Sequence, residues 1–505
     1  MSQSKSSPAT QKAAFTQGST MRHVVVMTAT ASIGLVSIFF VDALNLFYIS
    51  LLGQQELAAA IGYAGTIMFF SISICIGISI ATAALVGRAI GAGQADAARS
   101  IASVSLVYLL IISGLFALAL YPFLADLLRA LGAEGETLIL AERFMQIVVP
   151  SIPLLGLGMS CGALLRAKGD PKRAMYVTLS GGVAALFLDP LLIFGFDLGL
   201  EGAAWAIVLV RCILVIVGLW GVQKVHNMLG PLYISDVINR CRPFMGIAVP
   251  AIATQLATPV GNAYVTQAIA EFGDDAVAGW AIVGRMIPVA FGTIFALSGS
   301  VGPILSQNYG ARLFERVNST LRDALIFTLI YCLAVWALLA LLAPQLVTIF
   351  SAEGEAARLI YIFCYLVAAS FLFNGALFVA NSAFNNLGFP LLATLFNWGR
   401  ATLGVVPFVI AAKPYGATGV LVGWGLGGVL FGIFSVITAF VVIRRLPQRT
   451  DSPAQSRPYP PTANSAFSSG KGATFSASSP DQLGELDEQK ETAESSDLGQ
   501  RDEQR

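Results

Sequence analysis

Long apolar runs, separated by short clusters of glycine, proline and charged residues, fill the chain from about residue 24 to residue 443. Each is about 20 residues or more, the length an α-helix needs to cross the hydrocarbon core of a bilayer. The pattern predicts twelve spans, at 24–50, 57–86, 100–122, 138–165, 174–196, 202–222, 244–270, 276–305, 320–343, 356–385, 390–411 and 417–443. Inside a bilayer, backbone groups must pair within their own helix, so the expected fold is an all-α integral membrane protein.

The pattern also repeats. Ala133-Glu134-Gly135-Glu136 recurs as Ala352-Glu353-Gly354-Glu355, and Gly91-Ala92 recurs at the same offset as Gly310-Ala311. Gly169 and Pro171 return as Gly388 and Pro390, and Glu56 aligns with Asp275. Internal duplication marks many secondary transporters, whose site lies between two related halves. Six spans per half is an even number, so both halves enter from the same side. The expected architecture is two pseudo-symmetric six-helix bundles, a parallel repeat, around a central cleft.

Composition agrees with this solvent. The chain is 56% hydrophobic and 12% charged, with a mean hydropathy of +0.74. A soluble chain would carry about 25% charged residues. The net charge of +1 hides a sorting of charges between loops. One side collects Arg22, Arg88, Arg99, Arg166, Lys168, Lys172, Arg173, Arg240, Arg312, Arg316, Arg444 and Arg445 among others. The other holds Glu134, Glu136, Asp197, Glu201, Asp274 and Asp275 with few bases. The positive-inside rule then places both termini in the cytoplasm, and the expected location is the plasma membrane.

The expected organisation is a cytoplasmic segment 1–22, a first lobe 23–222, a cytoplasmic linker 223–243, a second lobe 244–446 and a tail 447–505. The tail is rich in Ser, Pro, Glu, Asp and Gln, a composition that cannot bury enough surface to offset its ordering entropy. The six cysteines are scattered without a CxxC pair, so neither zinc nor a disulfide framework is indicated. No GxxxxGK[ST] phosphate loop exists, and no soluble domain remains to house an ATPase. No cofactor is expected, and a pump of this kind runs on an ion gradient.

Charges within spans are functional candidates by default, because they are costly there. Five lie about two turns or more from a span end, towards the bilayer centre: Asp42, Asp189, Arg211, Arg285 and Arg400. Asp42 lies roughly 30 Å of helix rise beyond Arg22. Asp189 also lies past the midplane, so the two can line one cavity of the first half, with Asn45 beside them. Such a pair can hold a proton and release it when the cavity hydrates. A cationic substrate competes for the same carboxylates, which is the thermodynamic core of an antiporter. The bland alternatives are a salt bridge from Asp42 to Arg211, and a helix break at Asp189-Pro190. The arginines Arg211, Arg285 and Arg400 are read as charge partners or snorkelling residues; if they face the cavity, they suit an anion.

The second half carries amides instead, among them Gln255, Asn262 and Asn374, and Gly261 stands where Asp42 stands in the first. Amides can orient a substrate or a partly hydrated cation, or join helices.

Several segments together resemble one family. They are Val86-Gly87-Arg88-Ala89-Ile90-Gly91-Ala92-Gly93, Leu165-Arg166-Ala167-Lys168-Gly169-Asp170-Pro171, Leu188-Asp189-Pro190-Leu191-Leu192-Ile193-Phe194-Gly195, Gly202-Ala203-Ala204-Trp205-Ala206 and Ser306-Gln307-Asn308-Tyr309-Gly310-Ala311. In this order across twelve spans they resemble the multidrug and toxic compound extrusion (MATE) transporters, over roughly residues 22–446. The DinF-like branch is the closer one. The resemblance implies a V-shaped cleft, alternating access driven by H⁺ or Na⁺, and small-molecule substrates, typically organic cations and in some members organic acids. It implies that Asp42 and Asp189 are the first- and fifth-span acids. Ala185 departs from the branch's asparagine, and Gln255 and Asn374 stand near the acids of the NorM-like branch, which favours a cation site in the first lobe.

The expected function is secondary efflux of organic cations or drugs against H⁺ or Na⁺, by a monomer in a lipid bilayer, with no enzymatic activity and no nucleic-acid partner. Rivals are an organic-anion exporter of the same fold, a flippase for lipid-linked substrates, and a scaffold acting through its tail.

Overall fold

The computed structural model describes residues 13–50 and 55–450, and it is all-α, with no strand among the described residues. By length and hydropathy eleven stretches can cross a membrane. The last, Pro390–Gln448, has 59 residues and is divided by the turn Lys413–Tyr415. Unbroken, it would rise about 90 Å, three times a bilayer core. The division gives twelve crossings.

They are α1 (Thr20–Ser50), α2 (Gln55–Gly91), α3 (Ala95–Leu120), α4 (Gly135–Lys168), α5 (Pro171–Pro190) and α6 (Gly199–Leu219). The second half has α7 (Ile234–Ala270), α8 (Asp274–Gly310), α9 (Phe314–Ile349), α10 (354–387), α11 (390–412) and α12 (Gly416–Thr450). Most helices outrun their apolar cores by a turn. The largest difference is at α7, which begins at Ile234, within the stretch expected as linker. Its first turns pack on α3, where Ser100 Oγ donates to Asp236 at 2.5 Å, so a polar segment stays helical through side-chain contacts.

The repeated motifs are helix punctuation. Gly169 (φ +95°) ends α4 and Gly388 (φ +94°) ends α10, each in the left-handed region that favours glycine. Pro171 and Pro390 then open α5 and α11 at their first positions, where a missing N–H costs nothing. Gly135 and Gly354, at φ +58° and +54°, start α4 and α10.

The two halves exchange helix ends. The early part of α1, with Val24 and Met27, is buried in the core of the second half. The early part of α7, with Phe244, Ile247 and Ala248, is buried in the core of the first. The second half is held by stacked Phe291 and Phe371, with centroids 4.2 Å apart, and by Trp280 set edge-on to Trp424 at 5.2 Å.

Candidate functional site

In the first half, α1 and α5 run parallel. A methyl group on Gly34 would collide with Thr178, one on Gly182 would touch Ser37, and Tyr48 lies edge-on to Phe194 at 6.2 Å. This register brings positions 42–45 of α1 level with Asp189. Asp42 and Asn45 lie on α1, but their side chains fall outside the described residues. Asp189 is 2% exposed. Pro190 follows it inside the helix, and the chain then widens into a π turn, Leu191–Gly195. Proline removes a helix hydrogen bond, and π turns recur at functional sites. The alternative of a helix break at Asp189-Pro190 takes a milder form: the helix continues through Pro190 and is distorted into the π turn, with Asp189 just before it.

The second half also carries a buried charge at a π turn, of opposite sign and at a different depth, since the repeat counterpart of Arg400 is Gly181. There α7 and α11 also run parallel, through Thr254 Oγ1 to Thr394 Oγ1 at 3.1 Å and Trp398 Nε1 to the Ala253 carbonyl at 2.9 Å. A π turn, Arg400–Gly404, interrupts α11, and Arg400 is 7% exposed. Its Nη2 donates to Thr258 Oγ1 at 3.2 Å, and its Nε has no partner among the described residues. Thr258 drew no notice in the sequence, since nothing local marks it as an arginine's neighbour.

The other candidates divide. Asn374 is buried against Gly428, and its Oδ1 has no partner. Gln255 is half-buried, whereas Asn262 and Arg285 are exposed on α7 and α8. Arg211 is not a charge partner for a carboxylate among the described residues. Its Nη1 donates to the Val148 carbonyl at 3.1 Å and to Ser151 Oγ at 2.6 Å, and its Nη2 reaches Met68 Sδ at 3.9 Å. The cause is a kink in α4. The Ile152 N–H bonds Val149 O in a tight turn, which leaves the Val148 carbonyl for the guanidinium. Arg400 likewise meets a hydroxyl and not a carboxylate. No three His, Cys, Asp or Glu side chains converge as a metal site among the described residues.

The halves are joined at the face that carries the basic loops. There α2 and α8 cross so closely that a methyl group on Gly91 would strike the Gln307 carbonyl, and one on Gly310 the Arg88 carbonyl. Arg88 Nε and Nη2 donate to the Asn386 and Asn385 carbonyls at 2.9 and 3.0 Å. Gln307 Nε2 donates to the Ala167 carbonyl at 2.7 Å. Residues 13–19 form a strap across this junction. The Phe15 N–H donates to Gln307 Oε1 at 3.0 Å, Arg316 Nη2 donates to the Phe15 carbonyl at 2.9 Å, and Ala14 packs on Gly169. The described part of the expected cytoplasmic segment 1–22, from residue 13 on, is thus bound to both halves; residues 1–12 lie outside the described residues.

Comparison with known proteins gives the family. The MatE family model matches twice, over residues 27–191 and 250–410, one match in each half. The chain is 28% identical over 424 residues to a FAD transporter of Shewanella oneidensis, covering 82% of this chain and 92% of that one. It is 23% identical to the multidrug export protein MepA of Staphylococcus aureus, covering 76% and 85%. Among solved structures, a point mutant of the Vibrio cholerae MATE transporter VcmN superposes with a TM-score of 0.80 at 25% identity, over 84% of this chain and 97% of that one. Two matches of one family model, in the two halves of a twelve-helix membrane fold, make this chain a member of the MATE transporter family.

Proposed function

We propose that the chain is a secondary active exporter that antiports organic cations or drugs against H⁺, or Na⁺, by alternating access, with both termini in the cytoplasm of a plasma-membrane protein. The observation that carries this reading is the buried carboxylate of Asp189 at a π turn, level with positions 42–45 of α1. Asp42 and Asp189 are the coupling carboxylates, and Asn45 completes their surroundings. The basic loops support the orientation. With that orientation, the joined face is the cytoplasmic one. Protonation of the acids then exchanges with substrate binding, so that each ligand stabilises a different arrangement of the halves.

Purified protein in liposomes tests this, with separate H⁺ and Na⁺ gradients and a fluorescent organic cation. Proton-driven flux lost in Asp42→Asn supports the mechanism. Sodium-driven flux moves the coupling chemistry, and absence of cation flux under both gradients rejects cation antiport.

A second reading, export of organic anions by the same fold, has its own support. Arg400 is buried with an unpartnered Nε, and one relative is named a transporter of FAD, an anionic dinucleotide.

A further inference from the structure

Arg211 and Arg400 are both buried within spans, and their surroundings differ. Arg211 is satisfied by a carbonyl, a hydroxyl and a thioether. Among the described residues Arg400 has one hydroxyl partner, Thr258, and an Nε with none. Arg240 also has an unpartnered Nε, but it lies within two turns of the start of α7, at the basic face. Arg400 lies ten residues into α11, about 15 Å of rise, which is the middle of a bilayer core about 30 Å thick. Lipid head groups do not reach that depth, whereas transporter sites lie there. Uncompensated charge in a span is costly and marks a pathway for substrate or ion. A guanidinium is a planar fork of five donors that matches a carboxylate or phosphate in two hydrogen bonds. The surroundings are loosened for a ligand on both helices. The π turn starts at Arg400 in α11, and Pro259 in α7 deprives the Gln255 carbonyl of its helical donor.

We propose that Arg400 and Thr258 form an anion subsite in the second half, which takes the carboxylate or phosphate group of a transported organic anion or zwitterion. The proposal rests on the second reading above, export of organic anions by the same fold, and names the part of the substrate that the second half holds. Asp189 and Arg400, on equivalent helices, give the two halves opposite polarity. The first half takes the coupling cation, and the second takes the negative end of the substrate.

The test is equilibrium binding, without any gradient, of carboxyfluorescein and of ethidium to the full chain in phosphatidylcholine nanodiscs. Wild type, Arg400→Gln, Arg400→Lys and Thr258→Val are compared. The expected result is at least a tenfold loss of carboxyfluorescein affinity in Arg400→Gln, with ethidium affinity within twofold of wild type. Arg400→Lys recovers part of the loss, and Thr258→Val costs about threefold. If Arg400→Gln does not fold, Thr258→Val, which keeps the charge, carries the measurement. Equal losses for both dyes, or unchanged carboxyfluorescein binding, overturn the subsite. Displacement of the dye by phosphatidylglycerol, dependent on Arg400, assigns a lipid instead and also overturns it. Cation flux without anion binding rejects the subsite alone, and Arg400-dependent anion binding without any gradient-driven flux rejects the exporter reading alone.

Discussion

Arg88 and Gln307 occupy equivalent positions in the two repeats, and each caps a helix of the opposite half. Arg88 Nε donates to the Asn386 carbonyl at the end of α10, and Gln307 Nε2 donates to the Ala167 carbonyl at the end of α4. Asn386 and Ala167 are themselves equivalent positions at the repeat offset. Duplication has therefore produced a reciprocal latch. The two copies differ in strength, because the first uses a charged donor over the Tyr309 ring at 5.6 Å and the second a neutral amide. A charge-assisted hydrogen bond contributes about 1.5–3 kcal/mol, and a neutral one about 0.5–1.5.

Breaking the latch shifts the balance between conformations. Arg88→Ala is expected to raise the population open at the basic face about tenfold or more, and Gln307→Ala by less. Labelling of a cysteine placed at Ala92 with a membrane-impermeant maleimide, from the basic side, measures this. Equal labelling in wild type and Arg88→Ala would show that the latch does not hold the state.

The α2–α8 crossing tolerates no side chain. Gly91→Val drives a side chain into the Gln307 carbonyl, and Gly310→Val one into that of Arg88. Each is expected to cost about 1–3 kcal/mol in the joined state. Flux should fall while the protein still inserts, and size-exclusion profiles beside flux assays distinguish this from simple misfolding.

The strap contributes through Phe15, which is 3% exposed. Phe15→Ala removes a buried ring, a change that costs about 3–5 kcal/mol in a well-packed site. A lower thermal midpoint in detergent is expected, together with the same labelling increase as in Arg88→Ala. A lower midpoint without increased labelling would make the strap a structural brace only.

Asp189→Asn keeps the shape of a buried side chain and removes its charge. Coupled flux should fall at least tenfold with little change in thermal midpoint. Retained proton-driven flux would remove Asp189 from the mechanism.

Acid sensitivity is expected at the α4–α5 turn. Burial pushes the Asp170 carboxyl up, but hydrogen bonds from Arg173 and His226 win and hold it below its ordinary value of 3.8. Asp170 caps α5 by accepting from the Arg173 N–H at 3.1 Å, and it meets His226 Nε2 at 2.8 Å. Its stabilisation is therefore present above about pH 4 and is lost as pH falls through the lowered value. Asp170→Asn should lower the thermal midpoint at pH 7, and the difference from wild type should vanish in strong acid. A difference independent of pH would assign the effect to packing.

The spans were legible because a bilayer demands about 20 apolar residues per crossing, and that demand is local. The duplicated turns were legible for a similar reason. Gly169, Pro171, Gly388 and Pro390 fix backbone angles within a few residues. Asp189 stood out as a charge in an apolar run, and the π distortion after Pro190 fits its missing N–H. The start of α7 was misplaced because residues 234–243 are polar enough to read as a linker, and only contacts with α3 hold them in the helix.

The role of each arginine was not legible. Arg211, Arg285 and Arg400 look alike in the sequence. One caps a kinked helix, one is exposed, and one faces a threonine 142 positions away. Gln307 and Phe15 carried no signal as partners, since they meet across 292 positions. The sequence by itself determined the solvent, the number of crossings, the duplication and the glycine and proline turns between helices, because hydropathy and backbone sterics act over one to six turns. Tertiary structure decided which buried charges are satisfied and which halves touch at which face. Hydrogen bonds and van der Waals contacts reach only a few ångströms, and the residues that come that close are chosen by helix packing, which no stretch of the chain records alone.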